Sequence, residues 1–173
     1  MASTQFSDGC IFCKIASGKD ASTVILFENE RICIFKDIRP AADNHLLAIP
    51  KHHIGDVRPL TVSDKPLLEE MRTELSNVLK DQFQVDDTTV LFGFHIPPFT
   101  TVKHLHMHGI APVSSMGFIS RMMFKPESMW FKTFHRFFTS FTRTLSPTLM
   151  LINQLLLHQL HCLIWHLVYF RRR

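Results

Sequence analysis

His104-Leu105-His106-Met107-His108-Gly109-Ile110-Ala111-Pro112 decides how the rest of the 173-residue chain is read. Val102–Ala111 reads as a β-strand, in which alternate side chains share a face. That pattern puts three imidazoles in one row about 7 Å apart and sends Leu105 and Met107 into the core. A single histidine on an apolar face is ordinarily a satisfied core residue, but three in strict alternation mark a site. Two chemistries are open to such a row. One is nucleophilic and acid–base work near neutrality, which an unperturbed pKa of about 6.5 allows. The other is metal binding, since alternate strand histidines can ligate zinc.

Outward from this row the chain reads as one domain of α+β class. Thr23–Phe27, Ile32–Asp37 and His45–Pro50 are short β-rich segments separated by turn residues, an antiparallel meander. From Ser63 to Phe83 the apolar period changes to three and four: Leu67, Leu68, Met71, Leu75, Val78 and Leu79 alternate with Glu69, Glu70, Arg72 and Glu74. That spacing predicts a long amphipathic helix. Ser63 or Asp64 is placed to cap it, and Pro66 falls in the first turn, where its missing N–H costs nothing. Thr88–Phe94 supplies a further strand before a Pro97-Pro98 turn. Strands and a helix in this order predict an antiparallel sheet with a long helix on one face.

Apolar residues make up 46% of the chain and charged residues 20%, so a sizeable core can form and wholesale disorder is excluded. The formal charge of +4 conceals an asymmetry: residues 1–117 hold 11 Lys+Arg against 14 Asp+Glu, whereas residues 118–173 hold 8 against 1. The body therefore has no basic stripe for nucleic acid, and no nucleic-acid partner is expected. Met1 to Gly9 lacks a secretory pattern, and four cysteines are too few for a disulfide framework. A protein kept inside the cell is expected, in the cytoplasm with the nucleus as a second place.

With Ile11-Phe12-Cys13-Lys14-Ile15, Phe35-Lys36-Asp37-Ile38-Arg39-Pro40 and His45-Leu46-Leu47-Ala48-Ile49-Pro50-Lys51 upstream of the triad, the chain resembles the histidine triad (HIT) superfamily of nucleotide hydrolases and transferases, in its Hint branch. The likeness covers roughly residues 10–131. It implies the HIT-like fold, a homodimer, and hydrolysis of nucleoside 5′-phosphoramidates such as adenosine 5′-monophosphoramidate and aminoacyl adenylates, with no cofactor required. His106 would attack the α-phosphorus and become nucleotidylated. His108 and His45 would orient that imidazole or hold phosphate oxygens, and His104 opens the row. Asp37 would accept hydrogen bonds from the ribose hydroxyls. Ile11, Phe12, Ile15, Phe35 and Ile38 would form an apolar slot around the base, although these same five residues also fit a purely structural core. Where most Hint proteins carry Asn and a Gly-rich turn before the triad, this chain has Gly93 and Pro97-Pro98-Phe99. Thr100 and Thr101 are the phosphate contacts this turn offers.

Cys10 and Cys13 have the two-residue spacing that suits tetrahedral zinc. In HIT relatives that carry the pair, the other two ligands resemble the histidine after the Pro-Lys turn and the first triad histidine, here His53 and His104. The resemblance thus implies a structural Cys₂His₂ zinc, and two reduced thiols beside the slot are the other reading.

Residues 132–173 are set apart from the domain as an atypical tail. Thr144–Phe170 is 27 residues without a formal charge, closed by Arg171, Arg172 and Arg173. Its length would span a bilayer, but Pro147, Asn153, Gln154 and several histidines are costly in lipid. A membrane anchor, a helix packing on the body or on another subunit, and a poorly ordered spliced tail are its three readings. His158, Cys162 and His166, at helical spacing, read as a weakly polar stripe. Two functions compete with phosphoramidate hydrolysis: cleavage of dinucleoside polyphosphates by the same histidines, and nucleotide binding or scaffolding without turnover.

Overall fold

The computed structural model describes Ser7 and residues 9–143. The uncharged run, the three terminal arginines and the His158, Cys162 and His166 stripe lie outside the described residues.

Six antiparallel strands form one sheet in the order β1-β2-β3-β5-β4-β6. They are β1 (Ile25–Glu28), β2 (Ile32–Lys36), β3 (Asn44–Pro50), β4 (Leu91–His95), β5 (Met107–Ala111) and β6 (Phe131–Thr133). The helices are α1 (Ile11–Ala16), α2 (Lys65–Phe83), α3 (Phe118–Met123) and α4 (Phe134–Arg143). Among the described residues no helix is long and apolar enough to cross a membrane.

α2 lies against β3 and β5. Its six periodic apolar residues, Leu67, Leu68, Met71, Leu75, Val78 and Leu79, are all buried, as the three-and-four spacing predicts. Each contributes about 1.5–3 kcal/mol of burial. Gly109 of β5 makes the approach possible, because a Cβ there would stand 2.8 Å from Leu75 Cδ2. Of the two expected caps, Asp64 holds the N-cap position of α2, but its carboxylate turns back: Thr61 N–H donates to Asp64 Oδ2 at 2.7 Å, holding a 3₁₀ turn over Val62–Asp64 that runs into α2. Pro66 does sit in the first turn.

The opposite face of the sheet carries the site. Register pairs Leu47 with His108 and His45 with Ile110, so these side chains share that face. Two apolar clusters flank it. Phe12 and Ile15 of α1 pack with Cys33, Phe35, Leu47 and Ile49 at one end, and Ala41, Ile110, Met116, Phe124 and Phe131 pack at the other.

Three differences from the sequence reading concern the elements themselves. The strand holding the triad begins at Met107, so only His108 of the three stands in the ladder. The backbone before it bends to meet the loop after β3, where Leu105 N–H donates to Ile54 O at 2.6 Å. The triad is therefore tighter than a strand row, with the His106 and His108 ring centres 5.0 Å apart, while Leu105 and Met107 are buried as expected. Asp87–Thr89 is a 3₁₀ turn, which moves the start of β4 to Leu91. Finally, a boundary at residue 131 would cut the edge strand β6 from its partner: Phe131 is fully buried, Thr133 pairs with Gly93, and the compact body runs to Phe137.

Candidate active site

Partners of fixed polarity set where every proton of the histidine cluster sits. A backbone N–H only donates and a carbonyl only accepts. Ala41 N–H donates to His45 Nδ1 at 3.1 Å, so the His45 proton is on Nε2. That Nε2–H meets His108 Nδ1 at 2.9 Å, with Asp37 Oδ2 3.6 Å from the same nitrogen. His108 then carries its proton on Nε2, a buried donor with no partner among the described residues. His106 Nδ1–H donates to His104 O at 2.6 Å, leaving a lone pair on Nε2. His104 Nε2–H donates to Pro50 O at 2.9 Å, leaving its lone pair on Nδ1.

Burial keeps the cluster neutral. It pushes His45 down to about 4 against the opposing pull of the Asp37 charge, and His104 down to about 4 against its bond to Pro50. It lowers His106 and, further, His108, whose imidazole neighbours add repulsion. A neutral His106 with a bare Nε2 and a His108 with a spare N–H offer, side by side, the lone pair that nucleophilic chemistry needs and the donor that an oxyanion needs.

His108 is the hub of the arrangement. The ring centres of His45, His106 and His95 stand 5.1, 5.0 and 5.0 Å from it, and Phe124 packs edge-on at 5.2 Å. Phe12 abuts His106 at 5.3 Å from the other side, so His106 sits between the α1 cluster and the other histidines. From the sequence His95 reads as a surface or supporting residue with no role of its own. It ends β4, and the β4–β5 register brings it beside the triad because Gly93 stands opposite His108. Gly93 has no room for a Cβ, which would collide with Lys132 O and Phe131 Cζ. The signal available in the sequence was a histidine two residues after that glycine, on the triad side of the strand.

The expected nucleotide slot is brought together only in part. Phe12, Ile15 and Phe35 are buried together in one cluster. Ile11 is 44% exposed and Ile38 91% exposed, so they stand at the rim rather than in a formed slot. Asp37 is placed beside His45, and its Oδ1 accepts from Arg39 N–H. Thr100 lines a recess with Gly55, Asp56, His95, His104 and His106. Thr101 is exposed and takes no part in that recess.

Cys10, Cys13, His53 and His104 converge, their ligand atoms all within 4.8 Å of one another. His104 Nδ1 is 3.5 Å from each sulfur, and His53 Nδ1 is 3.3 Å from that of Cys13. Tetrahedral zinc with bonds of about 2.0–2.3 Å needs such ligand separations, and the His104 lone pair already faces the sulfurs, so the donor set fits the ion. All four positions would be protein ligands, which would make a zinc here structural. Asp37, His45 and His108 also lie close, but His45 and His108 have their facing nitrogens joined to each other and form a relay instead.

The family profile described as "Scavenger mRNA decapping enzyme C-term binding" matches residues 9–124. The chain belongs to the histidine triad family. It is 39% identical over 132 residues to the mouse adenosine 5′-monophosphoramidase HINT3, covering 76% of this chain and 80% of that one. It is 45% identical over 107 residues to the zebrafish protein of the same name, covering 62% and 67%. Its fold matches a HIT family hydrolase from Clostridium thermocellum with a TM-score of 0.58 at 30% identity, covering 65% of this chain and 98% of that one. A HIT family hydrolase from Legionella pneumophila matches with a TM-score of 0.56 at 30% identity, covering 69% and 100%. The HIT-like α+β fold expected from the sequence is thus the fold of this chain.

Proposed function

We propose that the chain hydrolyses nucleoside 5′-phosphoramidates, adenosine 5′-monophosphoramidate foremost, through a nucleotidyl intermediate on His106. The observation that carries the reading is the His106 Nδ1–H bond to His104 O, which fixes the lone pair on Nε2 of a neutral imidazole. Relatives named adenosine 5′-monophosphoramidase at 39% and 45% identity support the substrate class.

His106 Nε2 forms a bond to the α-phosphorus while the P–N bond breaks, and its electron pair leaves on the amine, which takes up a proton from solvent water. The nucleotidyl-imidazole keeps its Nδ1–H on the His104 carbonyl, which spreads the positive charge formed on the ring. His108 Nε2–H donates to a non-bridging phosphate oxygen, its orientation set by His45. Water then attacks phosphorus and the P–Nε2 bond returns its electrons to His106. Phe12 and Phe35 would seat the base and Asp37 the ribose, and aminoacyl adenylates are a further substrate of the same class.

The supporting architecture is part of this proposal: a structural zinc on Cys10, Cys13, His53 and His104, a homodimer, and a place in the cytoplasm and nucleus. A second reading, cleavage of a dinucleoside polyphosphate or cap, is favoured by the profile described for decapping enzymes. Turnover of a fluorogenic adenosine phosphoramidate by the full chain, beside His106→Ala, tests the first reading. Activity lost in the variant supports it, and a wild-type chain that cleaves only dinucleoside polyphosphates replaces it with the second.

A further inference from the structure

The hydrolytic half of this reaction needs a group that takes a proton from the attacking water. Such a group must line the recess beside His106, be neutral at pH 7, and have an unengaged lone pair. His45 has both ring nitrogens engaged, by Ala41 N–H and by His108. His104 has one nitrogen on Pro50 O and the other facing Cys10 and Cys13. His108 presents a proton rather than a lone pair. Asp56 lines the recess, but Arg58 clamps both of its carboxylate oxygens and holds it below the ordinary carboxylate range, which makes it a poor base.

His95 meets every condition. It lines the recess with Thr100 and His106. Its Nδ1 lies 3.1 Å from Trp130 O, a carbonyl that can only accept, so the Nδ1 proton is fixed and Nε2 carries the lone pair. That Nε2 has no hydrogen-bond partner among the described residues and is not among their sealed, unsatisfied atoms. The ring is half-buried and held edge-on by His108 and Phe131, with centres 5.0 and 5.3 Å away, and tilted against Phe124 at 4.9 Å. Burial lowers its pKa below the ordinary histidine value, so it waits unprotonated.

We propose that His95 is the general base of the hydrolytic step, its Nε2 accepting the proton of the water that attacks nucleotidyl-His106. The water oxygen bonds to phosphorus and its proton passes to His95 Nε2. The P–Nε2 bond of His106 breaks with its electron pair returning to the imidazole, and His95 releases the proton to solvent. The inference rests on the phosphoramidase reading, and it separates the two half-reactions, since His95 serves the second and not the first.

The test is a rapid-quench single turnover of adenosine 5′-monophosphoramidate by the full chain. Amine release is followed together with intact protein mass, which reports the nucleotidyl adduct. His95→Asn retains an N–H for Trp130 O and should release amine at close to the wild-type rate. It should then hydrolyse the adduct about 100-fold or more slowly, so that the adduct accumulates, and added imidazole should restore part of that step. Because a variant can fail to fold, the wild-type chain gives a second readout: its hydrolytic step should run slower in D₂O, with one proton in flight. Equal loss of both half-reactions without accumulation, or wild-type hydrolysis in folded His95→Asn, overturns the role of His95 alone. A wild-type chain that releases no amine overturns the phosphoramidase reading and this inference with it.

Discussion

Replacing His45 by Asn should change the pH dependence of stability as well as its level. In the folded chain burial takes this imidazole down to about 4, whereas in the unfolded chain it titrates near 6.5. Between those values the unfolded chain binds a proton that the folded chain refuses, so stability rises with pH across that window. The His45 contribution is whole above about pH 7, is lost as pH falls through 6.5, and stops changing near 4. The gap amounts to roughly 3 kcal/mol at about 1.4 kcal/mol per tenfold, a large part of a typical 5–15 kcal/mol of stability. His45→Asn lacks this titration but keeps an oxygen for Ala41 N–H. Urea unfolding of both proteins at steps between about pH 7.5 and 4.5 isolates the term, because the other buried histidines contribute to both curves. The wild type should be the more stable protein at the upper end, and its advantage should shrink by roughly 3 kcal/mol at the lower. Curves that fall in parallel would refute the account of a neutral His45 locked between a backbone N–H and His108.

Gly93→Ala places a Cβ against Lys132 O and Phe131, and because a backbone oxygen cannot swing aside, the variant should lose about 1–3 kcal/mol in urea unfolding. An unchanged midpoint would mean that β6 yields freely. Zinc measured by elemental analysis in chain purified without chelators should approach one equivalent, and Cys13→Ser should lower both that content and the melting temperature. A wild-type content far below one equivalent would sink the structural metal.

Much of the architecture was legible because periodicity writes it down. β2 and β3 are apolar runs bounded by turns, and α2 buries the very residues its spacing selects. α1 was not legible: Ile11–Ala16 is too short to show a helical period, and its apolar residues look the same in a strand. β6, three residues long, gives no pattern either, and its place is decided by Phe131 filling the space above Gly93. The triad was visible as text, yet its geometry depends on a bend over residues 101–104 that no alternation records. Cys10, Cys13, His53 and His104 gathered as expected, but only because a family likeness pointed to the two histidines; they lie too far apart in sequence for spacing to find. His95 stayed hidden because a lone histidine carries meaning only once register sets it beside the triad.

Most of the protons of this site are placed by main-chain atoms, and three of those atoms belong to residues outside the histidine cluster. Ala41 lends an N–H, and Pro50 and Trp130 lend carbonyls. Selection on the reaction therefore acts at these positions on chain path rather than on residue identity. The proton contact itself asks nothing of their side chains, which are held instead by packing, Ala41 and Trp130 in the cluster beside the site and Pro50 buried at the end of β3. Proline at 41 is the exception: it would delete the single donor that orients His45 and leave His45 and His108 without a defined direction for their protons.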